Sequence, residues 1–108
     1  MTKFVSVFIT VKDKKEAKTL SRTLIEKRLA ACVNIITGIE SIYRWHGKIQ
    51  NNKEVILIAK TKNDPMVMKR LIMTVSENQR YENPAIVIWP IVYGSKDYLK
   101  WVDGEVQQ

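Results

Sequence analysis

Between Phe4 and Val11 every second residue is apolar, so that Val5, Val7, Ile9 and Val11 fall on one side of an extended chain. That period of two is the pattern of a strand with one face in a core. Phe4 and Phe8 make the other side partly apolar as well, which predicts an interior strand. The period then changes. Asp13-Lys14-Lys15-Glu16 has the form of a capping box, in which Asp13 accepts from an early backbone N–H and Glu16 reaches back. The helix it opens carries Ala17, Leu20, Leu24 and Ile25 as its stripe and fades near Arg28. Ala31 to Ile36 reads as a second strand that runs on past Gly38 through Ile39, Ile42 and Tyr43. Gly38 marks a bulge or bend within it. Trp45-His46-Gly47-Lys48 reads as a hairpin tip, because glycine tolerates positive φ where the chain reverses. A third strand follows, interrupted by Gln50-Asn51-Asn52-Lys53 and resuming from Glu54 to Thr61. Its continuous apolar stretch implies cover on both faces.

Asp64-Pro65 starts a second helix, aspartate as N-cap and proline at the first helical position, where a missing N–H does no harm. Val67, Leu71, Ile72 and Val75 supply its stripe, and Met66, Met68 and Met73 crowd the same helix. At helical spacing such methionines read as adaptable core packing rather than a copper site. The stretch Glu77 to Tyr81 and Glu82 is polar; beyond Pro84, Ala85 to Trp89 is apolar and reads as a fourth, buried strand ended by Pro90. Gly94-Ser95 caps a short last helix bearing Tyr98, Leu99, Trp101 and Val102. The order is βαββαβ with a small terminal helix. It predicts an α+β, ferredoxin-like fold, an antiparallel sheet with two helices on one face.

Composition narrows this only a little. A chain of 108 residues suits a single domain, residues 1–108, with no linker or repeat. The net charge of +7 raises nucleic acid as a partner, but the lysines are spread (Lys12, Lys14, Lys15, Lys18, Lys53, Lys60, Lys62) with no arginine-rich tract. They read as a solubility device rather than a specific nucleic-acid site. The third strand also offers Ile56 and Ile58 where an RNA-recognition module stacks bases on aromatics. No apolar run reaches the length of a membrane span, and the N-terminus passes straight into strand-like sequence, which predicts a cytoplasmic protein. Cys32 is the one cysteine, so no internal disulfide is expected, and its apolar neighbours predict a buried, inert thiol.

Catalytic signatures are missing: one histidine, no Gly-rich phosphate loop, no His-Glu-x-x-His, no Gly-x-Ser-x-Gly. What remains is a collection of aromatics and charges of both signs, Tyr43, Arg44, Trp45, Lys48, Glu54, Lys60, Tyr81 and Glu82. They either line a pocket for a small polar or anionic ligand or cover core edges with charges paired at the rim.

The segments "RLAACVNI", "SIYRWHGKIQ", "EVILIAKT", "YENPAIVIWPI" and "DYLKWV" resemble, in order, those of the CutA divalent-cation tolerance family, from about Val5 to Val102. The resemblance implies a ferredoxin-like subunit of a non-enzymatic homotrimer, with long second and third strands reaching across to neighbouring subunits. It also implies a link to copper or other divalent cations. Many members have His-Pro before the tyrosine matching Tyr81, where this chain has Asn78-Gln79-Arg80, and some have a cysteine where this chain has Ile9. The usual nitrogen and sulfur donors are thus absent; Glu82 and His46 are left as weak metal candidates, and no cofactor is required. A polar cleft between subunits, bordered by Tyr81 and Glu82 and biased toward anions by Arg80, is the expected site. A second reading is a sensor or adaptor similar to the PII-type proteins, binding a small anion or a protein partner in that cleft.

Overall fold

The computed structural model describes residues 2–107. Its elements are β1 (Phe4–Val11), α1 (Lys14–Glu26), β2 (Cys32–Trp45), β3 (Lys48–Lys62), α2 (Pro65–Glu77), β4 (Ile86–Ile91) and α3 (Lys96–Glu105). All strand pairs are antiparallel, and the sheet order is β2-β3-β1-β4. β1 is interior, as its two-sided apolar pattern predicts.

Both long helices begin as the sequence specifies. The Asp13 carboxylate accepts from the Glu16 backbone N–H at 2.8 Å, and that of Asp64 accepts from Val67 N–H at 3.0 Å, each relieving one unpaired donor of a first turn. Glu16 reaches back to the Lys12 N–H at 3.4 Å. Ser95 occupies the N-cap of α3, but its hydroxyl makes no capping bond.

The core lies between the sheet and the helices. Val5, Val7, Ile9 and Val11 of β1, and Val55, Leu57 and Ala59 of β3, meet Leu20 and Leu24 of α1 and Leu71 and Val75 of α2. Thr61, fully buried, donates from its hydroxyl to the Leu29 carbonyl at 2.7 Å and ties β3 to the turn before β2. Two stripe residues fall outside this core. Ile25 and Ile72 are exposed, and Ser21 and Thr74 take the inward positions instead, because a helix face is about 100° wide and its flanks remain wet. Of the α2 methionines Met68 packs against the core; Met66 and Met73 are exposed, so the core-packing expectation fails for those two.

The core cluster that takes up Leu20 and Leu24 of α1 and Leu71 and Val75 of α2 lies on one face of the sheet, and the other face is largely bare. Phe8 on β1, Ile56 and Ile58 on β3, Ile36 on β2, and Val87 and Trp89 on β4 point to it by register. Val87 and Trp89 are 45% and 46% exposed. The expectation of a buried fourth strand is therefore wrong for a single chain: β4 is an edge strand. It also runs through Pro90 rather than ending there, which an edge permits, since a residue without an N–H is tolerated there. β3 is likewise covered on one face only.

β3 is also unbroken through Gln50–Lys53, where an interruption was expected; its polar residues pair with β2 in a ribbon that leaves the globule. The ribbon ends in a two-residue turn with His46 at φ 50 and Gly47 at φ 76, the positive angles that a tight hairpin needs. The molecule measures 44 × 25 × 24 Å. It exposes 7231 Å², against about 6200 Å² for a compact monomer of this size, so the ribbon carries surface that the single chain leaves bare.

Candidate functional site

A cleft of about 410 Å³ opens on the uncovered side of the sheet, where the ribbon leaves it, lined by Phe8, Thr10, Ser41, Tyr43, Trp45, Glu54, Tyr81, Glu82, Asn83 and Ala85. Its construction begins with the bulge in β2. Up to Ile36, which pairs with Ile56, the even-numbered residues of β2 share the open face; from Ile39, which pairs with Glu54, the odd-numbered ones do. One extra residue at Thr37-Gly38 makes the change, with Gly38 at φ 76, an angle that glycine adopts without a Cβ clash. A side-chain period of two means that a shift by one residue reverses every later side chain. The bulge thereby turns Ser41, Tyr43 and Trp45 to the same side as Glu54.

The other wall is the chain after α2. Asn78 closes that helix by donating its side-chain amide to the Thr74 carbonyl at 2.8 Å. Gln79 then clamps Tyr81 at both ends, accepting from its N–H at 2.6 Å and donating to its carbonyl at 2.8 Å. Ala85 O accepts from Thr10 N–H at 3.3 Å and seats the segment on β1. The stretch is thus a turn and also a wall of the cleft.

Within the cleft Glu54 is only 8% exposed. Burial, followed by the hydrogen bond to the Glu54 carboxylate and its charge, pushes the Tyr81 phenol well above the ordinary tyrosine range. Tyr81 is therefore a neutral phenol beside the Glu54 carboxylate. The Tyr43 hydroxyl accepts from the Asn52 side-chain amide, which fixes its ring on the ribbon. The lining holds two carboxylates and no Lys, Arg or His.

Five of the residues singled out in the sequence thus come together: Tyr43, Trp45, Glu54, Tyr81 and Glu82. Lys48 sits at the hairpin turn opposite Trp45 and does not line the cleft. Lys60 lies at the other end of β3, across from Cys32, and donates to the Asn34 side-chain carbonyl. Arg80 points to the helix layer, where it pairs with Glu16 at 3.8 Å. His46 packs edge-on against Trp45 at 4.8 Å between ring centroids, at the ribbon tip. Phe8, Thr10, Ser41, Asn83 and Ala85 are lining residues that the sequence reading missed; the bulge at Gly38, carried through to side-chain parity, pointed to Ser41.

The donors present do not fit a resident copper ion. Imidazole and thiolate are the ligands copper favours, and neither His46 nor Cys32 lines the cleft. Among the described residues no group of three or more His, Cys, Asp or Glu could hold a metal. Cys32 is half-buried rather than enclosed, its thiol 3.9 Å from the Asn34 side-chain oxygen, which corrects the expectation of a buried thiol. No helix among the described residues is long and apolar enough to cross a membrane.

A four-stranded antiparallel sheet with helices on one face and a long projecting ribbon defines a ferredoxin-like α+β protein whose second sheet face is open. The chain matches the family model described as CutA1 divalent ion tolerance protein over residues 5–105. It is 41% identical over 96 residues to the divalent-cation tolerance protein CutA of Thermus thermophilus, covering 89% of this chain and 91% of that one. It is 39% identical over 98 residues to the chloroplastic protein CutA of Arabidopsis thaliana, covering 91% of this chain and 53% of that one; the chain spans about half the length of that relative. The crystal structure of CutA1 from Oryza sativa superposes with a TM-score of 0.93 at 36% identity, covering 99% of this chain and 96% of that one. The chain belongs to the CutA1 divalent ion tolerance family.

Proposed function

We propose that this protein is a homotrimeric, non-enzymatic member of its family, contributing to divalent-cation tolerance, copper included, without a high-affinity copper site of its own. The observation that carries the reading is the open face. Phe8, Ile56, Ile58, Val87 and Trp89 form a continuous apolar surface beside a ribbon with no core beneath it. Covering the exposed half of each large side chain stabilises by roughly 1 kcal/mol before association costs, and apolar patches of this extent mark association sites.

Within one chain Lys60 and Arg80 lie away from the cleft that carries Glu54 and Glu82, so the alternative of a small anion belongs to a cleft between subunits. A protein partner remains compatible with it. The compartment varies among relatives, one of which is named chloroplastic, and a cytoplasmic location belongs to this proposal.

Trp89→Glu tests the reading by placing a charge on the open face. Light scattering is expected to show the mass of the wild type lost in the variant, while calorimetry with Cu²⁺ shows at most weak binding by the wild type. An unchanged mass in Trp89→Glu, or tight copper binding by the wild type, contradicts the proposal.

A further inference from the structure

We infer that the cleft is a receptor for a small organic cation, an alkylammonium or alkylguanidinium group, held between its aromatic walls and its two carboxylates. The chain carries a net charge of +7, yet the cleft collects Glu54 and Glu82 and no basic side chain. Its volume of about 410 Å³ lies within the range of small-molecule pockets. Four aromatic rings, those of Phe8, Tyr43, Trp45 and Tyr81, share the lining with them. Ring faces attract weakly hydrated organic cations. Among the described residues no group of three or more His, Cys, Asp or Glu is placed to hold a metal ion. Glu54 is nearly buried at 8% exposure, which leaves Glu82, at the exposed rim, as the carboxylate that first meets an incoming charge. Phe8 belongs both to this lining and to the open face proposed to associate, so the oligomeric mass is followed beside the binding.

The test titrates butylguanidinium and the equally shaped but neutral N-butylurea into the intact protein, following the Trp45 indole N–H by NMR, with the mass recorded on the same samples. The expected result is a saturable shift of the Trp45 signal with butylguanidinium alone, weakened about fivefold in Glu82→Gln, the scale of one exposed ion pair. Tyr81→Phe keeps the ring and removes the hydroxyl beside Glu54, so binding is kept or strengthened there. If the cation is instead a Lys or Arg side chain of a second copy, butylguanidinium and Glu82→Gln both lower the mass of the assembly. That result supports the same chemistry from the other source. Equal shifts with N-butylurea, no shift and no change of mass, or binding unaffected by Glu82→Gln overturns the inference.

Discussion

At the scale of single residues, Tyr81 shows how burial and one carboxylate decide a proton's place. Its phenol lies beside Glu54, and both burial and that neighbour raise its ionisation above the ordinary value near 10. A folded-state value above the unfolded one contributes stability that is complete below pH 10 and disappears as the pH climbs through the folded value. An ultraviolet titration of the tyrosines is expected to show Tyr81 ionising above the ordinary tyrosine range. Tyr98 is raised as well, by burial first and Cys32 second, so Tyr81→Phe tells the two apart. If that variant leaves the number of late-titrating groups unchanged, the Glu54 pairing is wrong. A second residue-level prediction concerns Thr61→Val, which keeps the shape but leaves the buried Leu29 carbonyl without its donor. Urea denaturation is expected to show a loss of about 1–3 kcal/mol. At this scale the sequence was informative about residue type and less so about direction: Tyr43, Trp45, Glu54, Tyr81 and Glu82 converge, but Arg80 turns to Glu16 on the helix side, a contact between residues 64 apart that no local pattern announces.

At the scale of elements, the bulge at Gly38 and the turn at Gly47 shape the ribbon. Each holds φ 76, and a side chain there costs about 1 kcal/mol in backbone strain. Gly38→Ala is therefore expected to lower stability by that amount with the fold intact, since no atom lies within 4 Å of its added Cβ. Deleting Gly38 does something different: it restores one register through β2 and turns Tyr43 and Trp45 away from Glu54. Loss of NMR contacts from the Trp45 ring to other cleft side chains in the deletion variant, and their survival in Gly38→Ala, is the expected pair of outcomes. Element types and order were legible because strand alternation, two aspartate caps and Pro65 all act locally. The continuity of β3 through Gln50–Lys53 was not, because polar residues in a two-stranded ribbon are held by cross-strand pairing with Glu40 to Tyr43, which composition does not display. The exposure of β4 was misjudged for a related reason: an apolar run reports that a strand needs cover and is silent on whether its own chain supplies it.

At the scale of the whole molecule, the chain is longer and barer than its size requires. It has a radius of gyration of 14.3 Å against about 13 Å for a compact chain of this length, and Ile42 and Ile49 on the ribbon are 67% and 71% exposed. Such surface is tolerable where another copy covers it. Sedimentation equilibrium of the purified wild type across a range of concentrations measures this directly. The account predicts three times the chain mass, maintained on dilution, and a well-folded species at the mass of one chain would contradict it.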